Sequence, residues 1–193
     1  MCSRYELNAS AREVAGRFQL RVPPPLPNRA EVRPTDPALV VLPGGESRLL
    51  RWGLDVSWDK RPLINARAET LASRSAFKRL LGSRILIPAT LWWEWRKNAD
   101  GSKTKMRIRR PDGDLFAFAG LVDGERFTMV TCAPAPSVAH VHDRMPSVLS
   151  PAAEADWLDP AVPFADVAAN LEPYREALDV AVDEDKPAQG SLF

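Results

Sequence analysis

Cysteine at position 2 has the most reactive setting in this 193-residue chain. Once Met1 is removed, Cys2 carries a free α-amine and a thiol on adjacent carbons. Such an amine, with an ordinary pKa of about 7.7 to 8.0, condenses with an aldehyde, and the thiol can close the imine into a five-membered thiazolidine. The plain alternative is that cysteine merely stands second. Other candidates are few. The only histidines, His140 and His142, lie in the loop sequence AHVHDRMP. On extended backbone their rings point to opposite sides, so at most one aims into a given site. An H-x-H-D run can ligate a metal, but the two cysteines lie far apart and there is no second histidine cluster, so no metal site is assigned. Glu94 sits within Trp92-Trp93-Glu94-Trp95, where flanking indoles can raise a carboxyl pKa into the range of a general acid or base. On an alternating strand the same residue can equally face water. Asn65, in PLINARAET, is either a helix cap or an amide that holds a substrate hydroxyl or orients a nucleophile.

The elements that must position these residues follow from local pattern. Asn8-Ala-Ser10 before AREVAGRF combines a capping residue with helical spacing, so a short helix is expected over about residues 10 to 18. Four prolines between residues 23 and 27, then Pro34 and Pro37, make an extended loop that covers a surface or lines a site. ALVVL and SRLLRWG read as strands around the turn PGGE, and the segment after PLINAR turns helical near Ala68. RILIPA, LWWEWRK, KMRIRR, LFAFAGLVD and RFTMVTCA read as five successive strands separated by turn sequences. Such a run argues an antiparallel meander closing as a barrel or curved sheet. SPAAEADWL reads as a helix opened by Ser150 and Pro151. The fold class is therefore α+β: mostly antiparallel β, a compact barrel with a few peripheral helices. One domain is expected over residues 1–170, with an acidic, mobile tail over 171–193.

Composition narrows the class. Hydrophobic residues make up 45% of the chain, and no apolar run approaches the ~20 residues that span a bilayer, so no membrane partner is expected. Residues 1–20 include Arg4, Glu6, Arg12, Glu13 and Arg17 and have no apolar signal-peptide core, so the expected setting is cytoplasmic and reducing. Cys132, in the apolar run FTMVTCA, is expected to be a buried inert thiol. The net charge of +1 conceals a division. Residues 1–110 hold 22 basic and 10 acidic residues, net +12, and the remaining 83 hold 4 basic and 15 acidic, net −11. The basic part is either the footprint of a polyanion or the partner of the acidic part.

Four ordered segments carry a likeness: MC.RY at the start, WG....WDK.PLINAR.ET, the WWEW run and HDRMP..L. Together they resemble the SRAP (SOS response-associated peptidase) family, over Met1 to about Leu149. The resemblance implies a mostly β fold with a central barrel and association with single-stranded DNA carrying abasic sites. Nucleoid association while bound, a monomer and no small-molecule cofactor are the matching expectations. It also implies a covalent link to the abasic sugar through the N-terminal cysteine, protecting the lesion in the DNA damage response. By that resemblance Cys2 is the nucleophile, Asn65 orients Cys2 or the opened sugar, and Glu94 and His142 move protons. Arg4 and Arg67 become phosphate contacts, and Pro34 and Trp95 pack on bases or at the strand junction. An abasic sugar is mostly a closed hemiacetal, so acid and base help in exposing its aldehyde is chemically reasonable.

The chain departs from the family pattern in three places. Ser3 stands where glycine is usual, Glu31-Val32-Arg33-Pro34 replaces an N-x-A-P loop, and the basic, Asn-containing closing segment is absent after Leu171. Two rival readings remain. One is a single-strand binding module without crosslinking chemistry. The other is a glutamine-amide hydrolase, which also begins Met-Cys but whose Gly-rich and Asn-Gly elements are missing here. Proteolysis beyond removal of its own Met1 is suggested only by the family name.

Overall fold

The computed structural model describes residues 2–27 and 30–184. Along the chain these form β1 (Tyr5–Glu6), α1 (Ala11–Phe18), β2 (Glu31–Val32), β3 (Pro37–Leu42), β4 (Glu46–Trp52), β5 (Leu54–Val56), β6 (Asp59–Leu63) and β7 (Asn65–Arg67). Next come α2 (Ser75–Lys78), β8 (Arg84–Ala89), β9 (Leu91–Lys97), β10 (Lys103–Arg109), β11 (Phe116–Asp123) and β12 (Arg126–Cys132). The chain ends with β13 (Met145–Pro146), β14 (Val148–Leu149), α3 (Pro151–Leu158), α4 (Phe164–Val167) and β15 (Asp179–Val182).

A barrel forms because β3, β4, β12, β11 and β8 pair in a closed circuit. The closing contact is parallel, with Arg126 opposite Arg51 and Phe127 opposite Trp52. The five expected consecutive strands therefore do not close on one another as a meander. β9 and β10 leave the circuit and build a second sheet in the order β15-β10-β9-β1-β2. The alternation of strand side chains sorts the barrel residues into two apolar groups. Val40, Leu50, Trp52, Ile87, Phe116, Phe118 and Phe127 fill the interior together with Tyr5 and Trp92 from the second sheet. Leu39, Val41, Leu86, Ala117 and Val130 point outward and are covered by Val14, Phe18, Phe77 and Trp157 of the helices. Edge-to-face contacts of 5.4 Å between Tyr5 and Trp52 and 5.7 Å between Trp92 and Phe118 lock the second sheet to the barrel.

Local chemistry explains the helices. Ser10 Oγ accepts from Glu13 N–H at 3.3 Å, and Ser10 N–H donates to Glu13 Oε2 at 2.7 Å, a reciprocal cap. α1 stops at Gln19, which adopts a left-handed φ of 51°. α3 begins as expected at Ser150 and Pro151. The helix expected near Ala68 is a single 3-10 turn, followed by the one-turn α2.

The C-terminal region differs most from expectation. Leu171, Tyr174 and Leu178 are buried, and β15 pairs antiparallel with β10 from Asp179 opposite Arg109 to Val182 opposite Met106. Residues 171–184 are thus part of the packed fold rather than a mobile tail; residues 185–193 lie outside the described residues. The acidic end is drawn in by ion pairs of Arg109 with Asp179 at 2.9 Å and Lys105 with Asp183 at 2.6 Å. With Arg17–Glu154 at 2.8 Å and Arg79–Asp123, they show that part of the +12/−11 division is satisfied within the molecule.

Candidate active site

Strand β7 carries Asn65 to the interior. Gly53 turns the chain after β4 with φ 120°, and a Cβ there would meet Pro62 Cβ at 2.7 Å, so only glycine fits. Gly53 N–H then donates to Phe127 O at 2.8 Å, and Trp52 Nε1–H donates to Ile64 O at 2.8 Å. These bonds seat Asn65-Ala66-Arg67 parallel to Met129-Val130-Thr131 of β12. From that position Asn65 Nδ2–H donates to the carbonyl of Cys2 at 2.8 Å. Asn65 is therefore a strand residue holding the Cys2 main chain, not a helix cap.

Cys2 is completely buried, and its thiol donates to Arg4 O at 3.6 Å. Burial pushes the thiol pKa up, and the negative charge of Glu94 pushes it further, so the sulfur is held as a thiol. Glu94 is 2% exposed and lies on the inward face of β9 with Trp92. Its pKa is pushed up to about 7, chiefly by burial, with Asp143 adding to the rise. The choice left open by the alternating pattern is settled here: Glu94 and Trp92 face in, while Trp93 and Trp95 lie on the other face of β9, Trp93 buried beneath Lys105. Met1 lies outside the described residues.

His142 arrives on the loop between β12 and β13. Its Nδ1 accepts the Arg144 N–H at 3.0 Å, and Asp143 Oδ1 lies 2.8 Å from the same nitrogen. Burial lowers the His142 pKa and so favours the neutral ring. When the ring is protonated, Nδ1 becomes a donor and Asp143 becomes its partner. The effect of Asp143 on Glu94 places this turn within electrostatic reach of the buried carboxyl. Asn65 is joined to Cys2 by a direct bond, Glu94 acts on the Cys2 sulfur through its charge, and Asp143, next to His142, acts on Glu94 in the same way. His140 is exposed, and no group of three metal-ligating side chains occurs among the described residues.

Arg4 stacks over Trp95, with its guanidinium 5.3 Å from the ring centroid. Glu31 accepts from Arg33 Nε at 2.7 Å and lies 3.4 Å from Arg4 Nε. The carboxylate at position 31 therefore occupies the two cations around it. Pro34 is half-buried in the adjoining turn and Arg67 is exposed at the end of β7. Cys132 is buried, with its thiol pKa raised to about 11 by desolvation, as suits an inert core group. Sequence reading did not single out Glu69 and Arg144. Their bidentate pair, at 2.7 and 3.0 Å, with Arg144 Nη2 also donating to Thr131 O at 2.6 Å, ties the His142 loop to the segment after Asn65. The signal available was that both lie in the segments that carry the resemblance, Glu69 in PLINAR.ET and Arg144 in HDRMP.

Comparison with known proteins gives the family and the fold. The family described as "SOS response associated peptidase (SRAP)" matches residues 1–184. Abasic site processing protein YoaM of Bacillus subtilis is 33% identical over 181 residues, covering 83% of this chain and 80% of that protein. Abasic site processing protein YoqW of the same organism is 33% identical over 198 residues, covering 90% and 88%. A crystal structure of a protein from Bacteroides thetaiotaomicron superposes with a TM-score of 0.83 at 23% identity, covering 95% of this chain and 93% of that one, a likeness of fold.

Proposed function

The chain belongs to the SOS response-associated peptidase family, and from that premise we propose that it processes abasic sites in single-stranded DNA by covalent capture of the sugar aldehyde at Cys2. The reading rests above all on the enclosure of Cys2, its carbonyl held by Asn65 and its thiol within the field of the buried Glu94 carboxyl.

Removal of Met1 exposes the amine. The ring-closed sugar must first open, which needs a proton donor at the ring oxygen and an acceptor at the hydroxyl. A carboxyl near pH 7 that is part acid and part base serves both roles. The Cys2 amine then attacks the aldehyde carbon, forming C–N and releasing one water as the imine forms. Since burial keeps the sulfur protonated, amine attack comes first. Ring closure then forms the C–S bond as Glu94 accepts the thiol proton and the imine nitrogen gains one. Neutral His142 carries the second proton route. Running the same steps backward releases the DNA, so Glu94 governs both directions. Arg4, Arg67, Pro34 and Trp95 are the proposed strand contacts, a role that the stacking of Arg4 over Trp95 supports.

Intact mass after incubation with a single-stranded oligonucleotide bearing one abasic site tests the reading. The expected product is protein without Met1 plus DNA minus one water. Loss of Met1 with no adduct would favour a binding module without chemistry.

A further inference from the structure

The far end of the β9–β10 hairpin carries charge that the described residues leave uncompensated. Register sets Lys97 directly opposite Lys103 and Trp95 opposite Lys105. Strand alternation puts all four side chains on the outer face, away from Glu94. Like charges directly opposite one another destabilise a strand pair, so two facing ammonium groups call for an anion between them. Among the described residues neither Lys97 nor Lys103 makes an ion pair, whereas Lys105 is taken by Asp183 at 2.6 Å and lies 4.7 Å over the Trp93 ring. The nearest acid in the turn, Asp100, is spent on Ser102, accepting from its N–H at 2.9 Å and its hydroxyl at 2.6 Å. Asn98 Nδ2 donates to Ser102 Oγ and Thr104 Oγ1, each at 2.9 Å, so the hairpin is rigid without help from the lysines.

Position ties this pair to the active site. Trp95, two residues from Lys97 on the same face, stacks with Arg4, which lies two residues from Cys2. The Lys103 charge also reaches His142, where it opposes protonation. We propose that Lys97 and Lys103 hold phosphodiesters of the single strand flanking the lesion, continuing a track that begins at Arg4 and Trp95. A polyanion with phosphates at regular spacing is the ligand that two facing ammonium groups and an adjacent indole fit, because it neutralises the pair while offering a base to stack. The inference rests on the proposed DNA-processing reading and adds where the flank runs.

The test uses the double variant Lys97→Ala/Lys103→Ala of the full chain, with Arg12→Ala/Lys78→Ala as a control for loss of two exposed charges elsewhere. Affinity is measured against salt for abasic oligonucleotides of about 8 and about 20 nucleotides. Wild type and control should bind the longer strand more tightly. The double variant should lose most of that gain, and its log-affinity slope against log salt should be shallower by about 1.4, some 0.7 per lost phosphate contact. A double variant that keeps both the length gain and the wild-type slope overturns the track. Adduct formation by wild type, scored separately on the short strand, reports the proposed function. Its absence with the salt effect intact would remove the chemistry and leave the track.

Discussion

The two faces of β9 do opposite work with residues one position apart. Inward, Trp92 packs among Tyr5, Phe116 and Phe118, and on the same face the buried Glu94 carboxyl is driven up to about 7. Outward, Trp95 and Lys97 keep their polar ends in or near solvent, and Trp93 lies beneath the Lys105 ammonium. The inner face gains reactivity from desolvation and loses stability by it. The outer face carries exposed charge and has no altered acid to offer. A strand is suited to this division, since its period of two delivers neighbouring residues to different environments with no extra chain. Chemistry and grip can then be disturbed separately.

The sharpest separation is expected from Glu94→Gln. General acid–base groups contribute roughly 10²–10⁴-fold, so single-turnover adduct formation should slow by about that factor and lose its pH dependence near 7. Stability should move the other way. A carboxyl whose folded pKa lies at about 7 favours the native state when protonated, and that advantage is lost as pH rises from about 4.5 through 7. Wild type should therefore lose up to about 3 kcal/mol across this window, an upper bound from the shift. The glutamine variant should not, as urea titrations at pH 5 and pH 8 would read.

Next comes the pair Trp92→Ala and Trp95→Ala. Trp92 is fully buried, so its truncation should cost about 3–5 kcal/mol of folding stability. Trp95→Ala should barely shift the melting temperature but weaken single-strand binding by about 1–3 kcal/mol. Equal stability losses would break the two-face account. Asn65→Ala removes the one side-chain bond to the Cys2 carbonyl and should slow capture about tenfold, with strand affinity nearly unchanged. The smallest effect belongs to Glu31→Gln. Releasing Arg4 and Arg33 from their shared carboxylate should tighten strand binding about threefold and steepen its salt dependence.

Much of this frame is legible from residue order, and the exceptions share a cause. Ser10 with Glu13, Ser150 with Pro151 and the barrel strands are local signals, and each forms where its residues predict. Contacts between distant segments are silent in sequence. The parallel pairing of Phe127 with Trp52 closes the barrel, yet neither strand advertises the other. β15 reads as an acidic tail because its value lies in Arg109 and Lys105, some 70 residues earlier. Within the candidate site, Cys2 and Asn65 stand out by type and by motif, and the structure joins them. Whether Glu94 faced in or out was undecidable locally, since its strand is aromatic on both sides. The Glu69–Arg144 clamp escaped notice because an ordinary glutamate and arginine become informative only when they meet.

The central claim is that the Cys2 amine forms the first bond and its thiol the lasting one. Cys2→Ser separates these steps, since it keeps the amine and replaces sulfur with a weak nucleophile. Adduct with an abasic single strand would be followed by denaturing gel and intact mass, with and without borohydride. The account predicts a wild-type adduct that survives without reductant, and a serine adduct that persists only when borohydride reduces the imine. A serine variant forming a durable adduct without reductant, or a wild type forming none at all, would contradict it.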